Sequence, residues 1–378
     1  MKRRSLLLGA SALTLSQLAG GCGTQTALKV RSLKNSVPAQ VVAQFRKQLQ
    51  PSPLLQIVPQ TQLQELFALL QTWKSKTSAQ NQGKEQEKAD LVMIGDYWLA
   101  KAIQQKLIQP LDPAKLTNWS QLPPAWQTLV RRNDSGIADE KGKIWAAPYR
   151  WGSTVIVYRI DKFKSLGLKP PTDWSDLWRE ELRDRISLLD NPREVIGLTL
   201  KKLGKSYNTR DLNKVANLKE ELSNLHRQSK LYSSNSYLQP LILGDTWAAV
   251  GWSGDVLRLM QNQKEIGAVV PISGTSMWAD LWVQPISNRS SNLSLAEQWM
   301  DFCWQPQIAT QMSLLTQASS PVIISMKRED LPEELRINRL LLPESEVISK
   351  SEFLFPLPDV AIEQYRSLWQ EIRNIKHS

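Results

Sequence analysis

The sequence predicts an α/β fold in two domains, and three observations carry that expectation. Residues 27–111 alternate strand, helix, strand, helix, strand, helix, the order of a parallel sheet with covering helices. Residues 243–281, LGDTWAAVGWSGDVLRLMQNQKEIGAVVPISGTSMWADL, hold three short apolar runs bounded by Gly, Ser and Pro: Trp247–Trp252, Ile266–Val270 and Trp278–Val283. Runs of that length and punctuation read as core strands rather than helices. Finally, the roughly 355 residues that follow the first 22 suit two domains of ordinary size.

The chain opens on an export leader. Lys2-Arg3-Arg4 is a charged start, Leu6–Leu18 a short apolar run, and Ala19-Gly20-Gly21 places small residues before Cys22. A cysteine in that position resembles a bacterial lipobox, whose cysteine is lipidated, although Ala19 stands where a lipobox usually has Leu. Arg3-Arg4-Ser5-Leu6-Leu7 resembles a twin-arginine signal, and a general secretory signal with an ordinary positive end is the other reading. The apolar run is shorter than the ~18 residues that span a bilayer, and nothing after residue 22 is long and apolar enough to do so.

The alternating region divides into strands at Leu28–Leu33, Leu54–Pro59 and Ala89–Gly95, and helices at Val41–Leu49, Leu63–Trp73 and Tyr97–Leu107. Lys74–Lys88 is polar, has no periodicity and reads as a loop. Trp145–Arg159 is a landmark: Pro148 and Gly152 break regularity, and a β-rich run, Ser153–Arg159, follows. Asp173–Trp178 is a short helical piece, and Arg185–Asp190 is a strand. Asn191 is then an N-cap, Pro192 the first helical residue and Glu194 a first-turn acid that favours the helix dipole. His226 falls in an amphipathic run, Leu212–Gln228, and reads as a surface helix residue. Asp255–Gln263, Leu293–Trp304, Ile308–Leu315 and Val360–Ile375 are the remaining helices.

Composition excludes several function classes. The net charge is +11; loss of Lys2, Arg3 and Arg4 from 47 basic residues leaves 44 against 36 acids, a net +8. These charges are scattered and no nucleic-acid motif accompanies them, so they read as a solvated surface. With two histidines, His226 and His377, a Ser–His hydrolase or a His-ligated metal site is not expected, and neither GxSxG nor HExxH occurs. Gly204-Lys205-Ser206 lacks the earlier glycine of a phosphate loop, since Thr199 stands there. No catalytic constellation, cofactor or metal is expected. Cys303 lies on a helix face and reads as a small core residue. Of the 15 tryptophans, Trp178, Trp299, Trp304 and Trp369 sit at helical spacing as core candidates, whereas Trp252 and Trp278, with Trp151 as a third candidate, sit at strand ends. Trp278 and Asp280 are two apart on one strand and share a face; an indole beside a carboxylate is how a protein holds an organic cation.

The pair GWSGD and SMWADL resembles the spermidine/putrescine-binding proteins, the substrate-binding components of polyamine ABC transporters. Four further blocks agree in order: DLVMIGDYWLAKAIQQKLIQPLD from Asp90, WAAPYRWGSTVIVYR from Trp145, LLDNPREVIGLTLKKLGKSYNT from Leu188 and LFPLPDVAIEQYRSLWQEI from Leu354. The resemblance implies a type II periplasmic-binding-protein-like fold, two α/β lobes with a hinged ligand cleft. Lobe 1 would comprise residues 27–152 and 281–326, and lobe 2 residues 153–280 and 327–378.

By position, Asp280 and Glu194 would take ligand ammonium groups, Trp252 and Trp278 would stack on the methylene chain, and Tyr97 would line the near lobe. Asn191 stands where such proteins often have a second acid. Leu33 and Ser36 replace an aromatic and a tyrosine, Ala318 a tyrosine and Gly95 a serine. The scaffold and one acidic end survive, which leaves room for a ligand that is smaller, singly charged or different. The resemblance implies an exported periplasmic protein, tethered to a membrane by lipid on Cys22, that delivers a polyamine-like cation to an ABC permease. The same fold with another small solute, or an envelope interaction module that lost ligand binding, are the alternatives.

Overall fold

The computed structural model describes residues 27–50, 52–75, 88–286 and 293–375. Thirteen strands occur among them. β1 (Ala27–Leu33), β2 (Leu54–Gln60) and β3 (Leu91–Gly95) pair in parallel, with β1 in the middle. Every residue of β3 is buried, as expected of an apolar run in a sheet covered on both faces. β4 (Ile108–Gln109), β5 (Arg131–Arg132) and β6 (Lys143–Ile144) are short. β7 (Ala147–Arg159) is long; β8 (Ile186–Leu188), β9 (Ser229–Tyr232), β10 (Ala248–Trp252) and β11 (Ile266–Val269) follow it. β12 (Ser276–Pro285) is the second long strand, and β13 (Glu352–Phe353) is the last.

The principal sheet runs β2-β1-β3-β12-β7-β10-β8-β9. Its two halves share β7. The first part of β7 pairs with β12, and the part from Thr154 onward pairs with β10 and β11. One hydrophobic cluster is built around β1 and β3 with Phe45, Trp282 and Trp299; it also takes in Leu331, Leu335 and Leu341. A second is built around Trp174, Ile186, Leu198 and Tyr207, and is closed by Tyr365 and Ile372 of the helix Asp359–Arg373. Among the described residues no helix is long and apolar enough to cross a membrane. Cys22 and the leader lie outside the described residues, as does most of the expected Lys74–Lys88 loop.

Strand and helix positions follow the sequence pattern closely, with two corrections. Pro148–Gly152 does not precede the strand but lies inside it: β7 is extended over all thirteen residues, with its irregularity confined to one bulge. Proline is tolerated because the register slips beside it. Asp280 faces Arg150 while Leu281 faces Pro148, so Tyr149 is the extra residue of a bulge. The Tyr149 hydroxyl donates to the Ser36 carbonyl at 2.8 Å. His226 is not a surface residue but 3 % exposed. Its ring nitrogens meet the Tyr232 hydroxyl at 2.9 Å and the Ile375 carbonyl at 3.1 Å, because the closing helix covers the last turn of the helix Leu218–Gln228. Sequence periodicity reports one helix at a time and cannot register such a cover.

Candidate functional site

The site is a ladder of cross-strand pairs. In an antiparallel pair, residues directly opposite put their side chains on the same face. β12 and β7 bring Trp278 opposite Gly152 and Asp280 opposite Arg150, and β10 brings Trp252 opposite Thr154. Residues two apart on a strand share that face. Thus Ser276, Trp278 and Asp280 of β12 line up with Thr154, Gly152 and Arg150 of β7, and Trp252 sits beside Thr154.

At one end, Glu194 reaches the ladder from the helix Pro192–Lys202. The Ser276 hydroxyl donates to Glu194 Oε2 at 2.6 Å and also lies 2.9 Å from the Thr154 hydroxyl. Burial raises the Glu194 pKa; hydrogen bonds from Ser276, Thr154 and Trp252, and the charge of Arg193, hold the rise back. Arg193 itself turns away, donating to the Phe355 carbonyl and to Asn208. Glu194 therefore makes no ion pair among the described residues. Asn191 caps this helix, its side-chain oxygen accepting from the Arg193 N–H at 3.0 Å. That bond positions Glu194 and occupies Asn191 Oδ1.

In the middle, the Trp278 indole lies across Gly152. A Cβ at Gly152 would come within 2.3 Å of Trp278 Cζ2 and 2.4 Å of Ser253 Oγ, so only glycine leaves the ring its place. The Trp278 indole N–H is buried and has no partner among the described residues. Trp252 is braced edge-on by Tyr237 at 5.7 Å between ring centroids, and the Tyr237 hydroxyl donates to Asp255 at 2.8 Å.

At the other end, Asp280 is buried beside Arg150. The Arg150 Nε–H donates to Asp280 Oδ2 at 2.7 Å, and Nη1 faces the Thr316 carbonyl at 3.5 Å. Burial raises the Asp280 pKa, while the charges of Arg150 and Arg258 pull it down. A second acid, Asp96, follows β3 and accepts the Ala279 N–H at 3.2 Å. Burial pushes Asp96 up to about 7, against the Ala279 bond and the charge of Arg132; the Asp280 charge pushes the same way as burial.

Of the residues expected at the site, Glu194, Trp252, Trp278 and Asp280 come together on this ladder. Asn191 lies behind Glu194 as its cap. Tyr97 is 58 % exposed, its ring tilted against Trp98 and covering Gly95. Of the altered positions, Ser36 and Ala318 are buried, and the Ser36 hydroxyl is spent on the Leu33 carbonyl at 2.6 Å. Sequence reasoning missed Arg150 and Asp96. Each sits one or two residues from a position it did weigh, Gly152 and Tyr97. A charged residue inside otherwise apolar strand ends was the available signal in both cases.

A family model described as "Bacterial extracellular solute-binding protein" matches residues 86–350. The spermidine/putrescine-binding periplasmic protein of Salmonella typhimurium is 26 % identical over 369 residues, covering 97 % of both chains. The putrescine-binding periplasmic protein PotF of Escherichia coli is 27 % identical over 308 residues, covering 76 % of this chain and 79 % of that one. In three dimensions the chain resembles the spermidine/putrescine ABC transporter substrate-binding protein PotD of Streptococcus pneumoniae, with a TM-score of 0.77 at 21 % identity, over 92 % of this chain and 99 % of that one. The fold is thus the two-lobed α/β architecture of periplasmic substrate-binding proteins, and the chain belongs to the bacterial extracellular solute-binding protein family.

Proposed function

We propose that this protein is an extracytoplasmic receptor that captures a small amine of the polyamine class and hands it to an ABC importer, held at the membrane by lipid on Cys22. The observation that carries the ligand class is Glu194: a buried carboxylate without an ion-pair partner among the described residues, with the Trp252 indole beside it and Trp278 next along the strand face from Ser276, which holds it. A buried carboxylate of this kind is stabilised by a cation brought to it, and indole faces suit the alkyl chain and the charge that follow it. The names of the Salmonella typhimurium and Escherichia coli relatives support the same class, and they support a periplasmic location.

Residues 27–152 with 281–326, and 153–280 with 327–378, are the two lobes in this reading, although Leu331, Leu335 and Leu341 pack with the cluster around β1 and β3. The ligand would bridge them and favour their closure, because both sets of contacts exist only in the closed state. A thermal-shift screen of the purified protein against putrescine, spermidine, monoamines and amino acids tests the ligand class. A bound amine at 100-fold excess over its Kd adds roughly 2.7 kcal/mol of stability. No shift with any amine would remove the reading.

A further inference from the structure

Glu194 and Asp280 bracket the ladder, but the two acids are not equivalent. Ser276, which holds Glu194, and Asp280 are four residues apart on one strand face, about 14 Å at the usual rise. At the Glu194 end the carboxylate meets the Ser276 and Thr154 hydroxyls and the Trp252 indole. At the Asp280 end a guanidinium is already in place, donating from Nε at 2.7 Å with both side chains buried. Arg132 acts on the neighbouring Asp96, and Arg258 acts on Asp280 as well. The carboxylates at this end are therefore balanced by cations that belong to the chain.

We infer that Arg150 is a built-in cation that takes the place of a ligand ammonium at Asp280, so that the ligand carries a single positive charge, held at Glu194, and a hydrogen-bond acceptor at its far end. The inference rests on the amine-binding half of the reading above, an ammonium held at Glu194, and departs from its polyamine half by placing a single charge on the ligand. Two arguments carry it. A second ammonium brought to Asp280 would sit beside a guanidinium in a buried setting, where like charges repel strongly. And Arg150 has five N–H donors, of which only those on Nε and Nη1 find acceptors among the described residues, the latter at a long 3.5 Å. A buried guanidinium calls for further acceptors, which a ligand carboxylate, carbonyl or hydroxyl supplies.

Four probes with one carbon chain separate the possibilities: cadaverine, δ-aminovalerate, aminopentanol and pentylamine, titrated calorimetrically into the purified wild-type protein. The expected order places δ-aminovalerate or aminopentanol at least about 10-fold tighter than cadaverine, the penalty for a second ammonium against Arg150. Whichever of the two binds tighter tells an anionic end from a neutral one. Arg150→Met should reverse the order, because Asp280 then lacks its cation and the second ammonium of cadaverine supplies one. The wild-type order stands as the test should that variant not fold. In the double variant Arg150→Met/Asp280→Asn both charges are gone, and the wild-type preference over cadaverine should vanish. Cadaverine bound by the wild type as tightly as δ-aminovalerate and aminopentanol overturns the inference and leaves amine binding intact. Pentylamine bound as tightly as both of them also overturns it, since Arg150 then meets no acceptor. Silence with all four, and with putrescine and spermidine, removes the amine-binding reading and this inference with it.

Discussion

The Arg150 Nε–H lies 2.7 Å from Asp280 Oδ2, and the two side chains are 5 % and 3 % exposed. The strands that carry them place them opposite each other, one residue from the bulge at Tyr149. An ion pair this deep gains little over an apolar pair of equal volume, but breaking it strands a buried charge. Asp280→Asn should therefore lower the stability of the ligand-free protein by about 3–5 kcal/mol, whereas Arg150→Met/Asp280→Leu should regain most of that loss. Denaturant unfolding of the three proteins checks this. An Asp280→Asn protein as stable as wild type would mean that the pair contributes nothing to the fold.

Glu194→Gln is expected to behave in the opposite way. Glutamine keeps an oxygen for the Ser276 hydroxyl and removes the charge that burial opposes. The ligand-free protein should be as stable as wild type or more so near neutral pH. Affinity for the cognate amine should fall by about 2–5 kcal/mol, roughly 30- to several-thousand-fold. Because burial raises the Glu194 pKa, amine affinity in the wild type should also decline as pH falls through that raised value, when the carboxyl gains a proton and loses its charge. Titration calorimetry on both proteins across pH tests the two statements together. An unchanged affinity in Glu194→Gln removes Glu194 from the site.

Lipid attachment is tested at Cys22, in the leader pattern Ala19-Gly20-Gly21-Cys22. Wild-type protein expressed with its leader should partition with membranes and carry a mass increment on Cys22, and Cys22→Ser should lose both. Stable anchoring takes more than one acyl chain, so the increment should correspond to several. Recovery of mature protein with an unmodified Cys22 thiol would count against the anchor.

The fold was legible because its signals are local. The strand–helix alternation, the Asn191-Pro192 helix start and the buried runs of β3, β10 and β12 each depend on neighbours in sequence, and each appears within a few residues of its expected place. Half of the ladder was legible for the same reason, since Trp278 and Asp280 share a strand face by spacing alone. The other half was not, because Arg150 and Asp280 are 130 residues apart and meet only through the register of two strands. The bulge at Tyr149 decides that register, and spacing arguments cannot place a bulge. His226 failed similarly, covered by a helix far along the chain.

Gly152→Ala probes the middle of the ladder. Its Cβ would meet the Trp278 ring at 2.3 Å and Ser253 Oγ at 2.4 Å, distances that force one of them to move. The expected loss of stability is about 1–3 kcal/mol, the usual range for overpacking, with a change in tryptophan fluorescence as the Trp278 indole shifts. Adding Trp278→Leu should restore much of the stability, because the smaller side chain vacates the contact, while amine affinity should stay impaired. If Gly152→Ala melts with the wild type, the ring has more room than these distances allow.

Asp96 sets a pH dependence whose sign can be worked out. Burial, the main cause, pushes its folded-state pKa up to about 7, against the 3.8 usual for an aspartate. Between those values the folded protein keeps a proton that the unfolded chain has released. Stability from this group is therefore greatest at low pH, declines as pH rises through the window, and is fully lost once pH exceeds the folded-state value. Each unit corresponds to about 1.4 kcal/mol, so the whole effect is a few kcal/mol at most. Asp96→Asn keeps an oxygen to accept the Ala279 N–H, at 3.2 Å in the wild type, and has no proton to lose. The variant should exceed the wild type in stability above about pH 8 and match it near pH 4, the difference growing across the interval between. Other carboxylates titrate in both proteins and cancel in that difference. Melting temperatures of the pair measured from acid to mild alkali decide the matter. Parallel curves would show that the Asp96 carboxylate is accommodated without penalty, with Arg132 as its effective counter-charge.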